Sequence, residues 1–275
     1  MPIISSPYQR KIWFSAESSN TVVNNFSPKS YFDYTLTYHS KSDAIFSYAR
    51  ELYNKTIFLQ TDGDVILKSK GILRIAGFIS NCKTQSRRED FIEKLAKYTQ
   101  VDIYGKCSKN LNRISFCEKW DNICVREVIE EYPFHLVLEN SMCDEYITEK
   151  YYDRFYYNSI PIVSRRKFYS KIVPNESFIA LDDYNTGKEM VNHLQYLIDN
   201  PLRYLNYFEY RKSEYIPMLD QVKLKSQRGV YGLCDLLKKN KYKRSKKKIE
   251  NVVEEFGRMS ECDSADAISK MLNNW

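Results

Sequence analysis

The chain has 275 residues, of which 43% are hydrophobic and 15% aromatic, and its net charge is +7. These values allow one large or two small domains with hydrophobic cores. No apolar run reaches the roughly 18 residues of a membrane-spanning helix, and residues 1–11 lack a signal-peptide pattern. We therefore expect a soluble chain without its own route into the secretory pathway. Much of the positive charge lies between Lys238 and Lys248, so net charge says little about the partner of the main domain.

The N-terminal part of the chain shows two strand patterns. Residues 12–14 form a short apolar run, and Glu17 follows just past its end. Tyr34, Leu36 and Tyr38 alternate with threonines, which predicts a second strand. The later Asp62-Gly-Asp64 could bind a divalent cation, but its glycine and its position between apolar runs favour a turn.

A parallel sheet is predicted next. Residues 72–79 are a continuous apolar strand, residues 85–98 have a helical pattern with Phe91 and Leu95 on one face, and residues 101–105 form a strand and turn. Strand, helix and strand in this order make a βαβ unit, whose two strands run parallel.

The most informative stretch lies at the middle of the chain. Residues 134–138 predict a buried strand, residues 139–145 a polar loop, and residues 146–157 a helix with Thr148 in its first turns. Such α/β sheets bind ligands beyond the carboxyl ends of their strands, and a helix start favours phosphate. Lys150 there can neutralise a diphosphate, and Glu149 can accept from ribose hydroxyls; a solvated helix start is the alternative.

The remaining elements continue the alternation of strands and helices. Strands are predicted at residues 160–163 and 177–181, and helices at residues 187–199, 201–215, 249–259 and 265–272.

The seven cysteines leave three interpretations open. They are Cys82, Cys107, Cys117, Cys124, Cys143, Cys234 and Cys262. They could form disulfides, ligate zinc or remain as buried thiols; the absence of a Cys-x-x-Cys pair and of a histidine at ligand spacing disfavours zinc. Asn-x-Ser/Thr sequons at Asn25, Asn54 and Asn175 fit a luminal protein.

The central stretch also carries a family resemblance. Leu138-Glu-Asn-Ser141 followed by Asp144-Glu-Tyr-Ile-Thr-Glu-Lys150 resembles the signature of the α1,3/α1,4-fucosyltransferases, glycosyltransferase family 10. The resemblance covers roughly residues 12 to 235. It includes Trp13-Phe-Ser-Ala-Glu17-Ser18, Phe32-Asp-Tyr-Thr-Leu-Thr-Tyr38, Ser80-Asn81 followed by Arg88, and Asp102-Ile-Tyr104-Gly105.

The resemblance implies an α/β fold of the GT-B-like type, with two Rossmann-like lobes that contain parallel sheets. We expect residues 1–70 to form an incomplete acceptor-side lobe and residues 71–235 the lobe that binds GDP-fucose. Residues 236–275 are then a basic, partly helical C-terminal tail.

The implied reaction is an inverting transfer of fucose from GDP-fucose to a glycan hydroxyl, expected to be O3 of N-acetylglucosamine. Glu17 matches the proposed general base, which would take the acceptor proton during attack. Arg88 and Lys150 would hold the diphosphate. The other substrate-binding positions are Ser80, Asn81, Tyr104, Asn140, Tyr146 and Glu149. No metal ligand and no required cofactor is implied; a divalent metal would at most stimulate the reaction.

The resemblance also implies a cellular setting. Full-length relatives are type II membrane proteins of the Golgi lumen, and both anchor and stem are absent from this sequence. Several cysteines fall near those of invertebrate and plant core-type members, which implies disulfides. The expected partners are GDP-fucose and the glycan acceptor of a glycoprotein or glycolipid; nucleic acid is not expected.

Four departures from the family pattern stand out, and two alternative functions stay open. The family's N-terminal domain usually begins some strands earlier, and its C-terminal Cys-x-x-Cys pair is reduced here to Tyr231-Gly-Leu-Cys234. The segment 161–169 is shorter than in the family and lacks its glycine, and His135 replaces a tyrosine and is expected to be a packed strand residue. One alternative is a truncated, inactive relative that binds nucleotide sugar or glycan without turnover. The other is a protein whose basic tail binds nucleic acid or an acidic membrane.

Overall fold

The computed structural model describes residues 9–22, 29–49, 62–68, 70–108, 117, 121–211, 232–238, 248–273 and 275. Two parallel sheets organise these residues. The smaller sheet has the order β1-β2-β3, with β1 at Ile12–Ser15, β2 at Tyr34–Thr37 and β3 at Ala44–Ile45. The larger has the order β5-β4-β6-β7-β8, with β4 at Arg74–Phe78, β5 at Gln100–Tyr104, β6 at Phe134–Val137, β7 at Ile160–Val163 and β8 at Ile179–Ala180.

All paired strands run parallel, as the sequence predicted. All four residues of β6 are buried, because neighbouring strands and packed helices cover the centre of the large sheet. The turn after β5 depends on Gly105, which has a φ of +93°. A Cβ there would lie 2.8 Å from the carbonyl oxygen of Ile79, so the loops after β4 and β5 approach each other only with glycine at this position.

Helices connect and cover the strands. They are α1 at Gly63–Leu67, α2 at Arg88–Leu95, α3 at Asn122–Glu130, α4 at Glu149–Tyr152, α5 at Arg166–Tyr169, α6 at Gly187–Asp199, α7 at Pro201–Leu205, α8 at Val252–Ser260 and α9 at Ala265–Asn273. Short 3₁₀ segments occupy Asn175–Ser177, Leu181–Asp183 and Asn206–Arg211, and residues 232–238 are helical.

Two local predictions were wrong, one in the length of a helix and one in the type of element. The helix predicted for residues 146–157 is only the four-residue α4. Thr148 fixes its start by accepting a hydrogen bond from the backbone N–H of Lys150. The turn predicted at Asp62-Gly-Asp64 instead begins α1, with the Asp62 carboxylate accepting from the Asp64 N–H at 2.9 Å. The same side-chain chemistry serves turns and helix caps.

The C-terminal helices predicted near residues 249–259 and 265–272 are confirmed as α8 and α9. Phe256 of α8 is completely buried, and its ring lies 5.1 Å from that of Trp13 in β1. The backbone N–H of Ile249 donates to the carbonyl of Phe32. Ile249 and α8 therefore pack on the small sheet, whereas most of the basic run, residues 239–247, lies outside the described residues.

Six cysteines form three disulfides, Cys82–Cys107, Cys117–Cys124 and Cys143–Cys262, so the disulfide interpretation is confirmed for them. Cys234 is free and exposed. The third bond joins the loop after β6 to the segment after α8. Among the described helices, none is both long enough and apolar enough to span a bilayer. The sequons at Asn25 and Asn54 lie outside the described residues, and Asn175 is exposed.

Candidate active site

The candidate site lies at the carboxyl edge of the large sheet, where the loops after β4 and β6 meet the start of α2. The Ser86 hydroxyl donates to the carbonyl of Glu139 at 2.6 Å, and its backbone N–H donates to the carbonyl of Asn140 at 2.9 Å. This is the edge at which open parallel sheets bind ligands.

A buried carboxylate, Glu139, is the centre of the site. It is 2% exposed and accepts hydrogen bonds from the backbone N–H and the hydroxyl of Thr148, at 2.9 and 2.8 Å. Lys150 Nζ donates to its second oxygen at 2.9 Å. The chain's own carboxylate therefore lies next to the helix start at which the sequence predicts a diphosphate, and the diphosphate site stays a prediction.

Lys150 lies between two carboxylates. Its ammonium also approaches the Thr148 hydroxyl at 3.0 Å and Glu149 at 3.4 Å, and its side chain remains 20% exposed. Burial alone would lower the pKa of Lys150, but the charges of Glu139 and Glu149 outweigh it, so the pKa is raised. Lys150 therefore stays cationic across the physiological range.

Arg88, in the first turn of α2, is the second cation of the site. It is 3% exposed and donates to the carbonyl oxygens of Leu138 at 2.6 Å and Asn81 at 2.9 Å. Its Nε has no hydrogen-bond partner among the described residues. Burial lowers the pKa of Arg88, and Glu139 opposes this. Arg88 and Lys150 thus share Glu139 as a charged neighbour, whereas the adjacent Arg87 is exposed and paired with Asp90.

Glu17 reaches this site from the small sheet. It follows β1, is exposed, and accepts a hydrogen bond of 2.9 Å from the hydroxyl of Tyr146. Next to it, the Ser18 hydroxyl donates to that of Ser141 at 2.7 Å. Burial, Glu139 and Glu17 raise the pKa of Tyr146, so the phenol stays neutral and keeps its proton as a donor. The structure therefore joins the predicted base to the loop after β6.

Tyr48 is a site residue to which the sequence assigned no role. Its hydroxyl donates to the carbonyl of Ala16 at 2.5 Å, directly before Glu17. Burial and the charges of Glu17, Glu149 and Glu139 raise its pKa. The sequence offers no signal for it beyond one tyrosine among many. Glu139 was missed too, although a carboxylate ending a buried strand needs a cationic partner.

The other predicted substrate-binding residues have different surroundings. Ser80 and Asn81 are exposed after β4. The Asn140 Oδ1 is buried and has no hydrogen-bond partner within the described part of the chain. The hydroxyl of Tyr104 bonds to that of Tyr132 at 2.9 Å, and its ring stacks on Phe78. The substrate roles of these residues stay predictions.

A cavity of about 430 Å³ adjoins Arg88. It lies between α2, β5 and the Cys82–Cys107 disulfide, with Asn81 and Asp102 in its lining. Its volume is within the range of small-molecule sites, roughly 300–1,000 Å³.

The loop after β7, where the sequence departs from the family pattern, is held by a residue from the C-terminal segment. Asp263 accepts from Arg165 Nε at 2.6 Å and from Lys167 Nζ at 2.8 Å. Its backbone N–H donates to the carbonyl of Met142 at 2.7 Å. One aspartate therefore connects the loops after β6 and β7.

His39, Asp144 and Glu145 place potential metal-ligand atoms within 4.8 Å of one another. However, Nδ1 of His39 accepts from the Lys41 N–H at 3.1 Å, so neutral His39 carries its proton on Nε2 and presents no lone pair there. Lys171 also occupies both oxygens of Asp144 at 2.9 Å. The group is arranged for internal ion pairing rather than for a metal.

His135 is 1% exposed and bonds through Nδ1 to the Ser159 hydroxyl at 3.1 Å. Burial lowers its pKa well below the usual value, so it is neutral. The prediction of a packed strand histidine is confirmed.

Comparison with known proteins identifies the family. The sequence profile described as "Glycosyltransferase family 10 (fucosyltransferase) C-term" matches residues 67–255. The alpha-(1,3)-fucosyltransferase fut-1 of Caenorhabditis elegans is 33% identical over 236 residues, which are 85% of this chain and 53% of that protein. The human 4-galactosyl-N-acetylglucosaminide 3-alpha-L-fucosyltransferase FUT5 is 30% identical over 74% of this chain and 52% of its own length. The chain thus spans about half the length of these relatives.

Solved structures agree on the fold. A crystal structure of an alpha1,3-fucosyltransferase with GDP aligns with a TM-score of 0.56 and 16% identity, over 84% of this chain and 75% of that one. A structure with GDP-fucose aligns with a TM-score of 0.52 and 17% identity, over 73% and 66%. The predicted GT-B-like α/β fold class is confirmed, and the profile match over more than half of the sequence shows that the chain belongs to glycosyltransferase family 10, the fucosyltransferases.

Proposed function

We propose that this chain transfers fucose from GDP-fucose to a hydroxyl of a glycan, expected to be O3 of N-acetylglucosamine. In one inverting step, the acceptor oxygen bonds to C1 of fucose while the bond from C1 to the β-phosphate oxygen breaks. The acceptor proton passes to Glu17, and the departing electron pair stays on GDP. Family membership and the names of the relatives support this reaction.

The observation that carries the proposal is the hydrogen bond between Tyr146 and Glu17. It holds a carboxylate from the small sheet beside the loop after β6, which leads into the helix α4 that carries Lys150. A base and a charge-stabilising group must face the same reacting carbon from opposite sides, which two facing sheets can achieve.

Arg88 and Lys150 are proposed to bind the diphosphate and to offset the charge that develops on GDP. Lys150 is partly exposed, and Arg88 retains an unpaired N–H at Nε in the described structure. The adjoining cavity of about 430 Å³ could accommodate the nucleoside. The unpaired Oδ1 of Asn140 leaves an acceptor for a sugar hydroxyl. We propose that these cations suffice without a cofactor; chelation with EDTA should then leave turnover intact.

The test is transfer from GDP-fucose to an N-acetyllactosamine oligosaccharide. We expect Glu17→Gln and Lys150→Ala to abolish turnover, whereas the exposed control variants Glu176→Gln and Lys188→Ala retain it. Full activity of both site variants would overturn the assigned roles. Retained GDP binding by Glu17→Gln, measured by calorimetry, would show that the variant is folded and that its loss of turnover comes from the missing proton transfer.

A second candidate function is binding of nucleotide sugar or glycan without turnover. Calorimetric binding of GDP together with no transfer by the intact chain would support it. For either function, six disulfide-bonded cysteines support an oxidising compartment such as the Golgi lumen.

A further inference from the structure

An open groove of about 690 Å³ lies between the loop after β1 and helix α8. Polar side chains from both elements form much of its lining, namely Ser19, Asn20, Asn251, Glu254 and Arg258. Val22 and Val253 add apolar surface. The lining contains two positive side chains, Lys29 and Arg258, and one negative side chain, Glu254. The groove therefore suits a neutral polar ligand better than a polyanion.

The groove begins next to the candidate base. Ser19 stands two residues after Glu17, and two residues of extended chain span at most about 7 Å. The hydroxyl of Ser19 also lies 3.2 Å from Sγ of Cys262, after the end of α8. The loop that carries Glu17 is therefore one wall of the groove, and the C-terminal helix is the other.

Gly257 is the second observation that points to a ligand. It lies in the interior of α8, is exposed, and lines the groove. A Cβ added there would meet nothing within 4 Å, and its φ is outside the left-handed region. Glycine is unfavourable inside a helix, and neither packing nor backbone conformation of the chain requires it here. The bare backbone does, however, leave room in the groove.

We propose that this groove binds the part of the acceptor oligosaccharide that extends beyond the sugar receiving fucose. This inference rests on the proposed function and deepens it. Amide, hydroxyl, carboxylate and guanidinium groups can donate to and accept from sugar hydroxyls, and the valines can contact the apolar face of a ring. The guanidinium of Arg258 has no hydrogen-bond or ion-pair partner among the described residues, so it is available to a ligand. Helix α8 thereby contributes to the choice of acceptor.

The test is the variant Gly257→Gln, which fills the groove with a better helix former. We expect an unchanged or raised melting temperature and an unchanged KM for GDP-fucose and for free N-acetylglucosamine. The KM for an extended N-acetyllactosamine oligosaccharide should rise about tenfold or more, as the loss of a few hydrogen bonds implies. Gly71→Gln is the matched control, because a Cβ at Gly71 also meets nothing within 4 Å and Gly71 is outside the groove lining.

An unchanged KM for the extended acceptor in Gly257→Gln would overturn the inference. Saturation-transfer NMR with the same oligosaccharide distinguishes failure of the groove proposal from failure of the proposed function. If the unaltered chain gives no turnover, the proposed function fails. The groove proposal is still supported if the oligosaccharide signal of the unaltered chain disappears in Gly257→Gln and persists in Gly71→Gln. It is refuted if the unaltered chain gives no signal, or if Gly257→Gln keeps the signal.

Discussion

Replacing Glu139 by glutamine should destabilise the chain by about 2–3 kcal/mol, because it leaves Lys150 without its main counter-charge. Glu139 is 2% exposed and accepts from Lys150 at 2.9 Å. Glutamine keeps the shape and an oxygen for Thr148 but removes the ion pair. Breaking a fully buried pair costs about 3–5 kcal/mol; the expected value is lower because the Lys150 side chain is 20% exposed. Glu149, at 3.4 Å, also remains nearby.

The assay is urea unfolding under non-reducing conditions, with Glu149→Gln as the matched control. The Glu149 side chain is 42% exposed, so its loss should cost less than about 1 kcal/mol. The double variant Glu139→Gln/Lys150→Met should be more stable than Glu139→Gln alone by about 1–2 kcal/mol, since no unpaired charge remains. The reasoning is refuted if Glu139→Gln unfolds like the unaltered chain, or if the double variant is the less stable of the two.

Three further predictions concern other contacts. Tyr48→Phe loses the hydrogen bond to Ala16 and should lower kcat by up to about tenfold without changing the KM for GDP-fucose; an equal kcat contradicts it. Burial lowers the pKa of Lys70 to about 8 from 10.5, so the folded chain binds fewer protons than the unfolded chain between those values. Stability should therefore rise with pH there, by up to about 3 kcal/mol; urea unfolding of Lys70→Met should show a flatter profile, and an equal slope argues against it. Replacing Cys143 and Cys262 by serine opens a loop of 119 residues and should lower the unfolding free energy by about 4 kcal/mol; an unchanged urea midpoint would contradict this.

The sequence predicted the sheets and the loops that carry the candidate site, because apolar runs and polar breaks are local signals. It did not predict the short extent of α4. Tyr151 and Tyr152 are buried, and Thr148 is fixed by Glu139 nine residues earlier, so tertiary contacts override the helical pattern. The sequence did not predict the disulfide partner of Cys143 either, since Cys262 is 119 residues away. Pairings at such distances depend on how α8 packs, which no local pattern encodes.

Two carboxylates of the candidate site differ in what surrounds them, and this difference suggests how their tasks divide. Glu139 is enclosed and neutralised by Lys150, so a carboxylate there can orient a cation but cannot readily accept a substrate proton. Glu17 is exposed, with the neutral phenol of Tyr146 on one oxygen. Its other oxygen accepts no hydrogen bond from the described residues and is therefore open to an acceptor hydroxyl. Because the charge of Glu139 also raises the pKa of Tyr146, the Tyr146 side chain links the proposed base to the cation site. Tyr146→Phe should therefore lower kcat while Lys150 keeps its contacts, and a KM effect confined to GDP-fucose would instead assign Tyr146 to the donor.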